Sequence, residues 1–191
     1  MENGIDMIEN KEITTAEEWK NATQDIESDN HDQTYPVQLL YWNTHIDSSL
    51  DPRKNGYLMV TDEGNVCSSG NKNDSRTLFD IVHDVLTDRY RLICKGGDCK
   101  GYILYMIGHD LKAKKWKIKD SVKDTSVFFN FRSKHNNDKP PWKISSYSGV
   151  PLQFNSNGNF LTEKPGNDTT DYTDPYYFIP FTAHTMHISA V

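Results

Sequence analysis

The amino-acid sequence predicts a mainly β protein, an antiparallel β-sandwich of the jelly-roll kind with one or two short helices. Aromatic residues make up 12% of the 191-residue chain, and aromatic and β-branched side chains favour strands. Short apolar runs recur about every 10–12 residues with turn-forming residues between them, which is the spacing of sandwiches and barrels. One further segment has the composition of a complete hairpin.

That hairpin spans residues 57–70. Its two apolar runs, YLMV and VC, flank the tetrapeptide DEGN. Gly64 and Asn65 are residue types that tolerate a positive φ, so a tight turn is expected between two strands.

The other predicted strands are short apolar or alternating runs bounded by Gly, Pro, Asn or Asp. The run KWKIK alternates strictly, so its lysines face one side of the chain, and Trp116 and Ile118 face the other. A second hairpin is expected about the Gly96-Gly97 turn. The further strands are expected at 37–42, 89–94, 100–107, 115–119, 126–131, 149–154, 159–161, 176–179 and 185–188.

A short helix is predicted near the amino terminus. Thr15 and Glu18 have the spacing of a capping box, with Thr15 as the N-cap, so the helix would run from Ala16 to about residue 26. Its apolar stripe consists only of Trp19, Ala22 and Ile26. Such a helix needs a surface to pack on.

The segment 75–86 is ambiguous. Its apolar residues at 78, 81, 82, 85 and 86 have helical spacing, with Ser75 as a candidate N-cap. Its β-branched residues and the strand-rich sequence around it favour a strand instead. A short helix is the slightly favoured interpretation.

Charge divides the chain into an acidic arm, residues 1–34, and a single β-sandwich domain, residues 35–191. Residues 1–33 carry a net charge of −8, and the remainder carries +2. The densest basic stretch is 89–143, with 14 basic and 5 acidic residues. The arm is expected to contact this basic surface, in the same chain or a neighbouring one, or to remain a solvated terminus.

The three cysteines indicate a reducing compartment, because an odd, small number is typical of intracellular proteins. Cys94 and Cys99 are close enough in sequence for a bridge, but two unbridged thiols are favoured. The amino terminus lacks an apolar signal segment, and no run reaches the ~18 apolar residues of a membrane span. A cytoplasmic protein is therefore expected, with no membrane partner.

No motif specifies a reaction, a metal or a cofactor. The seven histidines form no zinc-binding pattern. His45-Ile46-Asp47 and His187-Ile188-Ser189 faintly resemble the repeated element of two-histidine phosphodiesterases, although Asp47 replaces the hydroxyl residue of the first copy. The lysine-rich stretch could attract nucleic acid, but the solvent face of a strand is the simpler explanation.

Aromatic residues in or beside loops provide a candidate carbohydrate site. Aromatic faces next to Asn and Asp side chains are typical of sugar recognition, and they also suit contacts between protein copies. The residues concerned are Trp142, Tyr147, Tyr172, Tyr176 and Tyr177.

Residues 56–66, GYLMVTDEGNV, followed by Ser-Ser-Gly at 68–70, resemble the PixA/AidA family of bacterial inclusion-body proteins. Residues 87–91, 102–106 and 176–178 are similar to later elements of that family. The chain departs from the family in its long acidic amino terminus, in lacking a closing Trp-Asp-Pro and in having only 5 methionines. No functional residue can be carried over.

The resemblance implies a small cytoplasmic β-sandwich protein with no established catalytic site, of a family often stored as paracrystalline inclusions. The leading expectation is therefore a non-enzymatic protein that self-assembles, with a carbohydrate-binding module and a phosphodiesterase as alternatives. The residues expected to help assembly are acidic or apolar residues of the arm and lysines of the basic stretch: Glu17, Glu18, Trp19, Lys115, Lys117 and Lys119.

Overall fold

The structure is a computed structural model that describes residues 4–25, 35–43, 56–117, 124–161 and 176–189. The described residues form twelve strands, one α-helix and two 3₁₀ turns, so the predicted mainly β, sandwich-like fold is confirmed. The strands are β1 (Gly4–Glu12), β2 (Gln24–Asp25), β3 (Val37–Asn43), β4 (Tyr57–Val60), β5 (Val66–Gly70), β6 (Phe79–Asp84), β7 (Arg89–Cys94), β8 (Tyr102–Ile107), β9 (Asp110–Lys115), β10 (Phe129–Ser133), β11 (Trp142–Ser146) and β12 (Tyr176–Ser189). The helix is α1 (Ala16–Ala22), and the 3₁₀ turns are Ser75–Thr77 and Thr125–Val127.

The paired strands form a closed path. Strand β12 pairs with β11 on one side and β3 on the other, and the path returns through β10, β7 and β6. Three of its junctions, β3–β6, β7–β10 and β11–β12, are single residue pairs. The ring is therefore strongly hydrogen-bonded in some places and only just closed in others.

The main core lies inside this ring. Alternate residues of β3 and β12 point inward, because successive side chains of a strand face opposite ways. Tyr41 and Phe178 are almost completely buried there, and their ring centroids lie 5.2 Å apart. The Tyr41 hydroxyl accepts a hydrogen bond from the backbone N–H of Phe154 (3.2 Å), so the buried phenol is paired.

Both predicted hairpins are present. In the β4–β5 hairpin Gly64 adopts φ +84°, as its turn requires, whereas Asn65 does not have a positive φ and instead bridges to Lys112. Other strand predictions differ from the structure. Residues 149–161 make only isolated bridges, and the two runs 176–179 and 185–188 belong to one strand of 14 residues, β12.

The favoured helix at 75–86 is wrong. The segment forms a 3₁₀ turn capped by the Asp74 side chain, followed by strand β6. Its pairing with β7 at six positions explains the strand, because this ladder satisfies the backbone and buries Phe79 and Ile81. The apparent helical spacing includes Leu86, which is 94% exposed in the following turn.

The acidic amino-terminal segment contributes to the sheet and to the core. Strand β1 pairs with β12 at nine positions. The predicted N-cap is confirmed, since the Thr15 hydroxyl accepts from the Glu18 N–H at 3.1 Å. Trp19 and Ala22 pack in the main core, whereas Ile26 lies outside the described residues. The segment thus finds the packing surface that its short stripe needs.

Among the described residues, no helix is long and apolar enough to cross a membrane.

Candidate functional site

A groove of about 600 Å³ opens where strands β7 and β10 separate. The two strands pair at one position only, Phe129 with Tyr90, and the groove lies beyond it. Residues at the start of β7 form one side, and residues of β10 and β11 form the other. Its lining consists of Trp19, Asp88, Arg89, Tyr90, Asn130, Phe131, Arg132, Ser133, Asn136, Asp138, Trp142, Lys143, Ile144, Ser145, Gly149, Pro151 and Tyr176.

Four aromatic side chains form the inner part of this groove. The Trp19 ring lies 5.4 Å from Phe131 and 5.2 Å from Trp142 between centroids. Trp19 Nε1 donates to the Tyr90 hydroxyl at 3.1 Å. Burial raises the pKa of Tyr90, so this phenol stays neutral at physiological pH. Helix α1 therefore anchors the aromatic cluster through Trp19.

Three cationic side chains line the same groove. Arg132 of β10 is paired directly with Lys143 of β11, so both side chains lie on one face of the sheet. Lys143 is 6% exposed, and its Nζ lies 5.1 Å from the centre of the Tyr176 ring. Both residues also make other contacts of their own within the chain. The third cation, Arg89, donates from Nη1 to the Thr87 carbonyl at 2.9 Å.

Two buried donors of the lining have no acceptor among the described residues. These atoms are Arg89 Nε and Trp142 Nε1. Buried polar atoms in proteins are nearly always paired, so two unpaired donors in one lining show that the hydrogen-bonding groups of the groove are incompletely paired.

Asp88, on the side of the groove formed by the start of β7, has its Oδ1 atom 2.9 Å from His83 Nε2.

A second feature is the ribbon formed where β1 continues alongside the end of β12. From residue 184 onward β12 pairs only with β1 among the described residues. One face of this ribbon packs on the body through Ile8 and Ala183, which are buried against Leu78. The opposite face is here called the outer ribbon face.

The outer ribbon face is apolar and exposed. Met7 lies directly opposite Met186, and Ile188 follows on the same side. Their exposed fractions are 39%, 42% and 50%, and Tyr35 beside them is 57% exposed. The Tyr35 ring contacts His184 with ring centroids 3.7 Å apart and the ring planes tilted by 58°, which places Tyr35 at this face.

The aromatic residues predicted to bind sugar are mostly not exposed platforms. Trp142 and Tyr176 are each only 5% exposed, because the inward face of the ring buries them, so the expectation of exposed faces is corrected for both. They nevertheless line the groove. Tyr147 is 48% exposed, Tyr177 lies half-buried with Lys134 Nζ 5.2 Å from its ring centre, and Tyr172 lies outside the described residues.

The residues predicted to help assembly also divide. Trp19 is 4% exposed in the core, so it is a structural anchor and offers no surface contact. Glu18 is half-buried and engaged in the helix cap, while Glu17, Lys115 and Lys117 are exposed. Lys119 lies outside the described residues.

The histidines are not gathered in the described residues. His187 Nδ1 lies 2.8 Å from Asp6 Oδ1 on the ribbon, and His45 lies outside the described residues. In the described ranges no three His, Cys, Asp or Glu side chains cluster as metal ligands would. The expected unbridged state of Cys94 and Cys99 is confirmed.

The groove residues that sequence reasoning missed are Arg89, Arg132 and Lys143. The alternation of cations with aromatics at 131–132 and 142–143 is a weak signal for such a surface. Comparison with known proteins adds no assignment, since no family model matches the chain and no curated protein is similar to it.

Proposed function

We propose that the protein is a non-enzymatic, self-associating β protein whose copies meet through the outer ribbon face and are stored in the cytoplasm as ordered inclusions. The observation that carries the proposal is this face itself. Large apolar side chains grouped on one exposed surface are typical of contacts between proteins, whereas scattered ones need no explanation. Half of the large exposed hydrophobic residues of the described chain, Met7, Tyr35, Met186 and Ile188, lie here.

A second copy of the chain is the partner that this face fits best. Glu9 and Lys11 are exposed on the same side of β1 as Met7, so the face carries both charge signs next to its apolar part. In a two-fold contact, Glu9 of one copy can approach Lys11 of the other, because such an interface is self-complementary.

Face-to-face packing is favoured over pairing at the strand edge. The backbone N–H of Ile8 donates to Asn73 Oδ1 at 3.1 Å. This side chain occupies a position on β1 that an added strand would need, and side-chain coverage is one way in which proteins block edge pairing.

Charge also favours the association, because oppositely charged regions attract each other over a longer distance than apolar side chains do. The first 33 residues carry a net charge of −8 and the remainder +2. Cations of the body such as Lys95 and Lys114 already pair with acids of the same body, at 3.0 Å each. Glu17, Lys115 and Lys117 are exposed and remain candidates for contacts between copies. The resemblance to the PixA/AidA proteins supports storage as inclusions.

Sedimentation velocity of the untagged full chain tests the proposal. The wild type should sediment as an oligomer, and a Met186→Glu/Ile188→Glu variant as a monomer, because each carboxylate would have to be buried in the contact. Leu86→Glu is the matched control, since Leu86 is 94% exposed in a turn away from the ribbon. A monomeric wild type, or a variant that assembles normally, would contradict the proposal.

Assembly inside cells needs a separate measurement. Electron microscopy and powder diffraction of cells expressing the untagged chain should reveal ordered cytoplasmic bodies. A diffuse distribution would refute storage as inclusions even if the purified protein self-associates.

Carbohydrate binding is a second candidate function. The observation that favours it is that Trp142 and Tyr176, two residues proposed from the sequence for sugar binding, line one groove together with polar side chains. This candidate does not depend on self-association.

A further inference from the structure

We propose that Met7 and Met186 form an oxidation site, where a peroxide converts both thioethers to sulfoxides and thereby prevents copies of the chain from meeting. The inference rests on the proposed self-association through the outer ribbon face and adds a chemical control to it. The oxidant is hydrogen peroxide or an organic hydroperoxide.

The two methionines are neighbours on the exposed side of the ribbon. Met7 of β1 lies directly opposite Met186 of β12 in the register of the two strands. Directly opposed residues have Cβ atoms about 4.5–5.5 Å apart, so the two thioethers belong to one patch. Their exposed fractions are 39% and 42%, so a small oxidant in the solvent can reach both side chains.

The other methionines of the described residues are protected. Met59 is 8% exposed and Met106 is 6% exposed, whereas Met1 lies outside the described residues. The oxidant must reach the sulfur atom before it can react. The folded chain should therefore be oxidised at the ribbon pair well before Met59 or Met106 reacts.

The reaction at each sulfur is a two-electron oxygen transfer. A lone pair of the thioether sulfur attacks one oxygen of the peroxide, the O–O bond breaks, and an S–O bond forms. The proton of the transferred oxygen moves to the departing oxygen. Hydrogen peroxide is thus reduced to water, or a hydroperoxide to its alcohol, while methionine is oxidised to its sulfoxide.

A sulfoxide changes the chemistry of the outer ribbon face. It replaces a flexible apolar side chain by a polar one, which disrupts methionine-rich contacts. In a two-fold contact each residue is present twice, so full oxidation would place four sulfoxide groups in one interface. Burying a polar oxygen without a hydrogen-bond donor is unfavourable. Oxidised copies should therefore remain separate in water.

Assembly and oxidation compete for the same side chains. Copies that meet through the outer ribbon face cover Met7 and Met186, so the peroxide reacts with the free copies and withdraws them from the assembly equilibrium. Methionine sulfoxide reductases reverse the modification, which would return the apolar face. The state of these two residues would thus set how much of the protein can assemble.

The cysteines are poorer candidates for this control. Burial raises the pKa of both Cys94 and Cys99, so little of either thiol is in the reactive thiolate form at neutral pH. Cys67 is half-buried, but it lies on β5 and not on the ribbon. Its oxidation would leave the outer ribbon face unchanged.

Peptide mapping by mass spectrometry after a brief hydrogen peroxide treatment tests the site itself. In dilute folded protein, sulfoxide should form at Met7 and Met186 at least about tenfold faster than at Met59 and Met106. Treatment in concentrated urea should abolish this difference, because unfolding exposes all four side chains. Raising the protein concentration should slow the oxidation of the ribbon pair alone.

Sedimentation velocity of the full chain measures the effect on assembly. The oxidised wild type should sediment as a monomer, or require at least about a tenfold higher concentration to associate, and a methionine sulfoxide reductase should restore the oligomer. Met7→Leu/Met186→Leu is the matched control, because leucine is apolar, similar in volume to methionine and inert to peroxide. This variant should assemble equally before and after treatment, with circular dichroism verifying its fold.

Three results would each overturn the inference. These are equal oxidation of the exposed and buried methionines in the folded chain, normal assembly of the oxidised wild type, and dispersal of the leucine variant by peroxide. A wild type that is monomeric before any peroxide is added would refute the self-association proposal, and this inference with it. An oligomer that forms but does not respond to oxidation would refute this inference alone.

Discussion

Trp19 connects the amino-terminal helix to the body, and its replacement by alanine should lower the free energy of unfolding by about 3–5 kcal/mol. Its side chain is 4% exposed and contacts the rings of Tyr90, Phe131 and Trp142. Truncation would leave a large cavity among three rings that strands β7, β10 and β11 hold in place. Those strands limit how far the cavity can collapse.

A second variant separates the hydrogen bond from the packing. Trp19→Phe keeps an aromatic ring but removes the donor to the Tyr90 hydroxyl, a bond of 3.1 Å. The net value of such a bond is about 1 kcal/mol, so this variant should lose distinctly less stability than Trp19→Ala. Lys20→Ala is the control on the same helix, because Lys20 is exposed, and its effect should stay within about 0.5 kcal/mol.

Urea unfolding followed by far-ultraviolet circular dichroism measures these changes as shifts of the midpoint at constant slope. For a domain of this size, the Trp19→Ala variant should melt about 6–20 °C below the wild type. A loss under about 1 kcal/mol for Trp19→Ala would refute the reasoning. It would mean that α1 is a peripheral arm, as the charge distribution suggested, and not part of the cooperative unit.

Three further predictions concern the loss of stability at acid pH, the reactivity of the thiols and the glycines of the turns. Arg76 lowers the pKa of Asp74, so this carboxylate stabilises the fold above its ordinary pKa of 3.8 and loses that contribution as pH falls through the lowered value. Asp74→Asn should therefore flatten the decline of stability below about pH 5, and an unchanged slope would contradict this. Burial raises the pKa of Cys94 to about 12. A disulfide reagent at neutral pH should therefore modify half-buried Cys67 first, and Cys94 only when the protein unfolds. Rapid labelling of Cys94 in a Cys67→Ser variant would disprove this prediction. A Cβ at Gly56 would lie 2.2 Å from a carbonyl oxygen of β5, so Gly56→Ala should destabilise the β4–β5 hairpin. Gly101→Ala is the control, because nothing lies within 4 Å of its added Cβ and the substitution tests only the cost of the positive φ. Equal melting temperatures for the wild type and Gly56→Ala would contradict the prediction.

Features that depend on neighbouring residues in the sequence were the ones that could be predicted. Thr15 and Glu18 form the expected cap because a capping box needs only four consecutive residues. The β4–β5 hairpin follows for the same reason, since Gly64 supplies the positive φ that its own turn requires. Local interactions specify both structures, so neither prediction needs a tertiary contact.

Features that depend on partners distant in sequence could not be predicted. Strand β1 contains few apolar residues, and its status as a strand depends on β12, whose paired residues lie 169 to 185 positions later in the sequence. The 75–86 segment became a strand because β7 was available as a partner, which outweighed its helical spacing. Arg132 and Lys143 are brought together only by the register of β10 and β11, so the sequence alone could not predict the groove that they line.

The closing role of β12 has a consequence for how the chain is made. Strands β1 and β3 end by Asn43, but β12, the strand that pairs with both, begins at Tyr176 and is synthesised more than 130 residues later. At 5–20 residues per second, the early strands wait on the order of ten seconds for their partner. During that interval the edges of β1 and β3 that later face β12 lack their partner. The order of synthesis thus leaves these two edges open until β12 has been made.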